Sequence, residues 1–424
     1  MKTNLLLAAL TSLGFAGAAN ASLIAGQTLG IDFGDGIHNT NDGTGADLNG
    51  SGSETNFAVL VQAVGQNRGG GKVLRVSRLS SSLVLIVAVV AAIGVGCGTK
   101  VENVDPTTEG YITGRWNDSD ARAVADKLGI EFRVVNLMKD YRERVVRYLL
   151  EGYESGVTPN PDCMCNREMK FGGFLDLALD EGFDYVATGH YARVDHSGAQ
   201  SRVFRGLDPN KDQTYFLALL RQDQVKHALF PIGGMEKPKV RELAADFDLP
   251  TATKKDSQGL CFIGEVKMQD FLANFVPESP GKIVDLNGKV LGEHRGLHLF
   301  TLGQRKGIGV ASNTYKEAFV VVAKKREENE LVVAFDRPDS RYLYASECTL
   351  SGLSAMGEPL VSPRTVLAQP RYRTSAPEAV LTPDGRDGAK LEYSKPQRAL
   401  TPGQVCALYD GNELLGGAIF ERIV

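Results

Sequence analysis

Cysteine is scarce, with six in 424 residues, at positions 97, 163, 165, 261, 348 and 406. So few and so scattered, they exclude the disulfide framework of a small secreted domain, and the thiols are expected to be mostly reduced, in a reducing compartment. A second pair to match Cys163-Met164-Cys165 is also missing. Structural zinc asks for four ligands, usually from two such knuckles, so no metal ligand is assigned. Charge of one sign is short as well: 47 Lys and Arg against 51 Asp and Glu leave a net −4. That balance argues against a uniformly basic nucleic-acid coat and leaves room for a local basic face. No internal repeat is present.

What is there begins with signals that conflict with a reducing compartment. Lys2, the apolar run from Leu5 to Ala19 and Ala19-Asn20-Ala21 have the charged start, greasy centre and small-residue cleavage site of a secretory signal over residues 1–21. Residues 26–57 are rich in Gly, Asn, Asp, Ser and Thr, which favours loop or disorder, and no EF-hand spacing turns those oxygens into a calcium site. Residues 80–99 carry no charge and centre on "LVLIVAVVAAIGVG". Their length is marginal for a membrane span of about 20 residues, and their Val and Ile content fits a buried parallel strand as well.

From Asp118 the text becomes orderly α/β. "DSDARAVADKLGI" predicts a helix with Ser119 as N-cap and Gly129 as its stop. "EFRVVNL" predicts a strand, "YRERVVRYLLEGYESG" a long helix, "KFGGFLDLALDEGF" another helix, and "DYVATGHYARV" a strand running into Gly189-His190. Strands alternating with helices imply a parallel sheet covered on both sides, with ligands gathered beyond the carboxyl ends of its strands, near Thr188-Gly189-His190. After about residue 266 the pattern turns to short strands and Gly, Pro, Asp and Asn turns. "GKIVDLNGKVLGEH" predicts a hairpin with Asn287-Gly288 at its tip, and the remainder predicts a small domain followed by a barrel.

"NPDCMCNREMKF" (160–171) admits three readings: a metal clip, a redox pair or the edge of a catalytic pocket. A disulfide within C-x-C is strained, and the metal reading lacks partners. The third reading joins Cys165 to Cys261 in "KKDSQGLCFIGE", where Lys254 and Lys255 favour thiolate, the form that attacks or carries sulfur, while Asp162 stands ready to move a proton. Both cysteines lie in polar, turn-like contexts, whereas Cys406 in "QVCALY" reads as core. Lys211-Asp212-Gln213, Gln304-Arg305-Lys306 and Arg371-Tyr372-Arg373, the last expected in a strand, set basic residues beside aromatics and glycines. That mixture suits phosphate contacts and base stacking on RNA.

In order along the chain stand "TPNPDCMCNREMKF", "ATGHYAR", "GLDPNKDQTYFL", "FPIGGMEKPKVRELA", "KKDSQGLCFIGE", "PGKIVDLNGKVLGEHRGLHLFTLGQRKGIG" and "TPGQVCALYDG". With these motifs the chain from about residue 118 to its end resembles the bacterial tRNA-specific 2-thiouridylases. The resemblance implies an α/β plus β fold. Its parts are a Rossmann-like domain of the adenine nucleotide alpha hydrolase (PP-loop) type without its usual first elements over 118–265, a small central domain over 266–340 and a C-terminal β-barrel over 341–424. Residues 1–117 form a segment outside the family.

The implied activity is ATP-dependent 2-thiolation of the wobble uridine in tRNA, with Mg accompanying ATP and a sulfur-relay protein as persulfide donor. By motif match Cys261 would hold the persulfide. Cys165 would release its sulfur, leaving a Cys165–Cys261 disulfide, and Asp162 would be the acid/base. Gly189 would line the ATP site. Asn160 and Pro161 would hold the target base, and His190, Lys211, Asp212, Gln213, Arg371, Tyr372 and Gln404 fall where the family touches tRNA. These partners imply a cytoplasmic home and no stable membrane partner, and the signal-like start is then read as joined on from elsewhere. One departure stands out. The family's glycine- and serine-rich "SGGVDSS" loop, which cradles phosphates at a helix N-terminus, is missing. In its place stands "GKVLRVSRLSSSLVLIVAVVAAIGVG", where Lys72–Val76 imitates the first strand and Ser80-Ser81-Ser82 offers hydroxyls without glycines. Weakened adenylation is therefore expected. Two other readings remain open: a tRNA-binding derivative without catalysis, and a thiol-disulfide oxidoreductase.

Overall fold

The computed structural model describes residues 57–61, 72–76, 119–128, 131–135, 137–254, 268–311, 317–337, 340, 342–385 and 387–424. The expectations for residues 1–21, 26–56 and 80–99 lie outside these, as does Cys261. No helix among the described residues is long and apolar enough to cross a membrane.

The first sheet has five strands, in the order Glu131–Val134, Lys72–Val76, Phe57–Val61, Tyr185–Ala187, Ala228–Leu229. Phe57–Val61, Tyr185–Ala187 and Ala228–Leu229 run parallel, but Lys72–Val76 is antiparallel to both of its neighbours. The all-parallel expectation is corrected accordingly. Residues 62–71 are fewer than the dozen or so that a parallel crossover needs, so two strands joined by them pair as a hairpin. Ser119–Leu128 is helical as predicted, but of the apolar face its spacing predicts, Ala123, Val124 and Leu128, only Val124 is buried; Ala121 and Ala125 are buried with it, while Ala123 and Leu128 are half-buried. The predicted long helix contains a wider π-turn, Arg142–Val146, between Met138–Tyr141 and Arg147–Glu154. It stops where Gly156 takes a left-handed φ of 80°.

The central region pairs Phe319–Lys325, Glu330–Phe335, Gly281–Val284 and Val290–His294 in one sheet. The expected hairpin turns at Asn287-Gly288, where Asp285 Oδ1 accepts from the backbone of Asn287 and Lys289 at 2.8 and 2.9 Å and Gly288 has a φ of 81°.

Six strands, Tyr344–Ala355, Ala389–Arg398, Glu378–Pro383, Arg364–Gln369, Val405–Asp410 and Glu413–Ile423, form the C-terminal barrel. Pairing of the first with the last closes it, which leaves no free edge within the ring. An outer hairpin, Ala192–Asp195 with Arg202–Arg205, extends the sheet by pairing with Glu413–Ile423. One apolar cluster joins Leu149, Met169, Phe171 and Leu217 to Val405, Ala407, Tyr409 and Leu414. The α/β region and the barrel thus share a core, and a shared apolar interface holds the two in fixed relation.

Candidate functional site

The stretch 160–171 folds as a short helix, Pro161–Cys165, that passes directly into a π-helix, Asn166–Gly173. Asn160 is extended and caps the helix, its Oδ1 accepting from Cys163 N at 3.2 Å, and Pro161 follows at N1, where a missing N–H costs nothing. Asp162, half-buried, sits in the first turn, where the helix dipole favours a carboxylate. The π-turn is a wider, rarer winding that occurs often at functional sites. It is kinked at Gly172, one residue before its end, by a φ of −111° and ψ of −112°.

Cys165 is not in the polar, turn-like setting its sequence context suggests. It ends the helix fully buried, in a cluster with Met164, Met169, Phe171 and Phe174. Neighbouring Cys163 is equally buried and donates to Tyr215 O at 3.6 Å. The cause is the bed under the helix: Tyr215 and Leu217 are themselves fully buried, and Asn166 Nδ2 bonds Phe216 O at 3.1 Å.

Beyond the carboxyl end of Tyr185–Ala187 the chain turns through Thr188, Gly189 and His190. His190 is buried and its Nδ1 lies 2.7 Å from Thr188 Oγ1. Burial first, and then the ammonium of Lys170, hold its pKa well below the usual imidazole range, so the ring is neutral. Phe171 and Phe230 flank it at 6.3 and 5.9 Å between ring centres. This turn, with a buried lysine against it, is the place in the sheet suited to a nucleotide.

Lys211, Asp212 and Gln213 do different work. Asp212 is the hub of a knot: it accepts from Arg205 Nη1 at 2.7 Å, Thr214 Oγ1 at 2.8 Å, Gly206 N at 3.1 Å and Thr214 N at 3.2 Å. Arg205 in turn lies 3.7 Å over the Tyr409 ring and bonds Gln369 Oε1. Gln213 bonds both backbone groups of Tyr191, each at 3.0 Å. Lys211 lies against Lys237. Burial and Lys211 together push the Lys237 pKa down to about 8, and the two ammonium groups make a small basic face beside Arg241.

Arg371, Tyr372 and Arg373 stand in a turn and not in the expected strand. Pro370 has no N–H for the ladder, and Arg373 takes a left-handed φ of 62°. Arg371 Nη2 bonds Leu302 O, Ala399 O and Thr401 Oγ1 at 2.9, 2.8 and 2.6 Å, fastening the central region to the barrel. Tyr372 packs on Phe216 at 4.4 Å. Gln404 Nε2 bonds Thr158 O at 2.7 Å, and Thr158 N bonds Pro402 O at 2.9 Å. Gly403 makes this approach possible: its φ is 90°, and a Cβ there would come within 2.9 Å of the Thr158 backbone. The barrel therefore grips the segment leading into Asn160–Cys165.

The structure thus gathers Asn160, Pro161, Asp162 and Cys165 on one helix, with Arg371, Tyr372 and Gln404 behind it. Gly189 and His190 stand at the strand end against Lys170. Thr158, Lys170, Tyr215, Lys237 and Gly403 belong to these contacts and were not singled out from the sequence. Each lies in a motif quoted above, so position was legible while partnership was not.

Comparison with known proteins decides the lineage. Three family models match in order: "tRNA methyl transferase HUP domain" over residues 81–265, "tRNA methyl transferase PRC-barrel domain" over 269–335 and "Aminomethyltransferase beta-barrel domain" over 345–420. A tRNA-specific 2-thiouridylase MnmA from Akkermansia muciniphila is 55% identical over 304 residues, 72% of this chain and 85% of the relative. The chain belongs to the tRNA-specific 2-thiouridylase family. Members so named from Aeromonas hydrophila, 44% identical over 74% of this chain and 86% of their own, and from Alkaliphilus oremlandii, 43% identical over 77% and 90%, are similarly related. The matched HUP region begins at residue 81, so it takes in sequence ahead of the motifs that signal the 2-thiouridylase family.

Proposed function

We propose that this chain is an ATP-dependent tRNA sulfurtransferase that makes 2-thiouridine at the wobble position. The observation that carries the reading is the 55% identity to a relative named tRNA-specific 2-thiouridylase across 85% of that protein. ATP, with Mg as its counter-ion, transfers its adenylyl group to the uridine C2 oxygen with release of pyrophosphate, which makes that oxygen a leaving group. Gly189, at the end of strand Tyr185–Ala187, lines its site. Cys261 receives sulfur as a persulfide from a donor protein. The Cys165 thiolate attacks the Cys261 sulfur atom, forming the Cys165–Cys261 disulfide and expelling hydrosulfide. Hydrosulfide adds at C2 and AMP departs with the former C2 oxygen; a reductant then returns both cysteines to thiols. Asp162 takes and returns the protons, while Asn160 and Pro161 orient the base. Since Cys165 is fully covered in this conformation, the reaction needs its cover to shift when tRNA binds. The partners named place the working protein in the cytoplasm.

The test is direct. The full chain, supplied with unmodified tRNA, ATP and a sulfur donor, is expected to yield 2-thiouridine in digested tRNA, with one AMP released per thiolation; tRNA bound without AMP release would refute the reading. That second outcome is what a tRNA binder without catalysis predicts, a reading favoured by the missing "SGGVDSS"-like loop. Lys211 is expected to meet a tRNA phosphate. Lys211→Ala should weaken tRNA binding across sequences and lower the slope of log K against log salt by about one, measured by titration at several salt concentrations.

A further inference from the structure

Lys170 has no part in the chemistry described so far, yet its setting is unusual for a lysine. It is 7% exposed, and its neighbours along the helix, Met169 and Phe171, belong to the main core. Among the described residues no carboxylate forms an ion pair with it. The ionisable side chain that responds to it is His190, which its charge helps to keep neutral. A buried ammonium is costly unless an anion pairs with it, and this site supplies none from the described residues.

Position says which anion. Lys170 follows Cys165, the N-cap of the π-helix Asn166–Gly173, by five residues, the span of one π-type hydrogen bond, so the two stand about one turn apart. On its other side stands His190, at the carboxyl end of the strand Tyr185–Ala187, where sheets of this kind bind ligands. We infer that Lys170 is an anion-binding residue that holds a phosphate of the bound adenine nucleotide beside Cys165. The inference rests on the proposed ATP-dependent thiolation and adds a residue to it. It also bears on the missing loop: a buried cation at the strand end supplies phosphate recognition that backbone amides of a glycine-rich loop would otherwise give.

Lys170→Met and Lys170→Gln remove the charge at similar length. Titration calorimetry with ATP and, separately, with adenosine is read beside the thermal unfolding midpoint of each protein. Both variants should bind ATP about tenfold or more weakly. Adenosine, which has no phosphate, should bind as it does to the parent, and the midpoint should stay level or rise, because the charge removed is buried without a carboxylate partner among the described residues. Unchanged ATP affinity in either variant would overturn the inference, as would equal weakening of ATP and adenosine. A parent that thiolates tRNA while the variants keep full ATP affinity removes the role of Lys170 alone. A parent that neither thiolates nor binds ATP removes the proposed function with it.

Discussion

Cys165→Ser and Cys261→Ser are each expected to reduce tRNA thiolation to below about a thousandth of the parent rate, because each removes a sulfur that the proposed transfer passes through. Nucleoside analysis of tRNA after incubation with ATP and a sulfur donor reads the loss. Cys163→Ser is the control. Its thiol donates to Tyr215 O in a sealed position, a serine hydroxyl donates in the same way, and activity should stay within a few-fold of the parent. The cover over Cys165 adds a second readout. Alkylation of Cys165 by a small thiol reagent should be slow in the protein alone and faster with tRNA and ATP bound. Equal rates in the two states would mean that no opening accompanies substrate binding.

The second large effect concerns stability. Asp212→Ala is expected to destabilise the fold by about 3 kcal/mol, measured by denaturant unfolding, since it takes from the guanidinium of Arg205 its carboxylate partner and frees three further donors at Gly206 and Thr214. The side chains of Arg205 and Asp212 are only 24% and 12% exposed, so solvent screens the loss weakly. Lys211→Ala, one position away, should leave stability within about 0.5 kcal/mol of the parent while weakening tRNA binding. Two adjacent residues in one motif would then separate cleanly, one holding the fold and the other meeting RNA. An Asp212→Ala protein as stable as the parent would show that the knot between the outer hairpin and the barrel carries little of the fold.

Much of this architecture was legible because local patterns had no competing force. The helix Ser119–Leu128 follows from its apolar spacing, the hairpin at Asn287-Gly288 from a turn that needs a left-handed residue, and the barrel strands from apolar runs broken by glycine and proline. The misreadings have physical causes. Lys72–Val76 runs antiparallel because its link to Phe57–Val61 is short, which is a matter of connection length and not of strand pattern. Arg371 looked like part of a strand until Pro370 and the left-handed Arg373 ended it.

The site was legible as a set of positions and not as a set of environments. "NPDCMCNREMKF" singled out Asp162 and Cys165 but read as turn-like where the chain is helical, and nothing in twelve residues says that Tyr215 and Leu217, some 50 residues on, will bury the sulfur. Lys170 lies in the same motif and was not singled out from the sequence. Only the packed structure shows it enclosed. In the same way Gln404 and Gly403, some 245 residues from Thr158, reveal themselves as a grip on the segment leading into Asn160–Cys165 only when the barrel is folded against it.

The central claim is that Cys165 and Cys261 form one sulfur-transfer pair. A single turnover with persulfidated protein, ATP and tRNA in the absence of reductant, followed by non-reducing peptide mapping, tests it most directly. The account predicts a disulfide-linked peptide joining the segments around Cys165 and Cys261, in yield matching the 2-thiouridine formed. Thiolated tRNA in full yield with both cysteines recovered unlinked would contradict it.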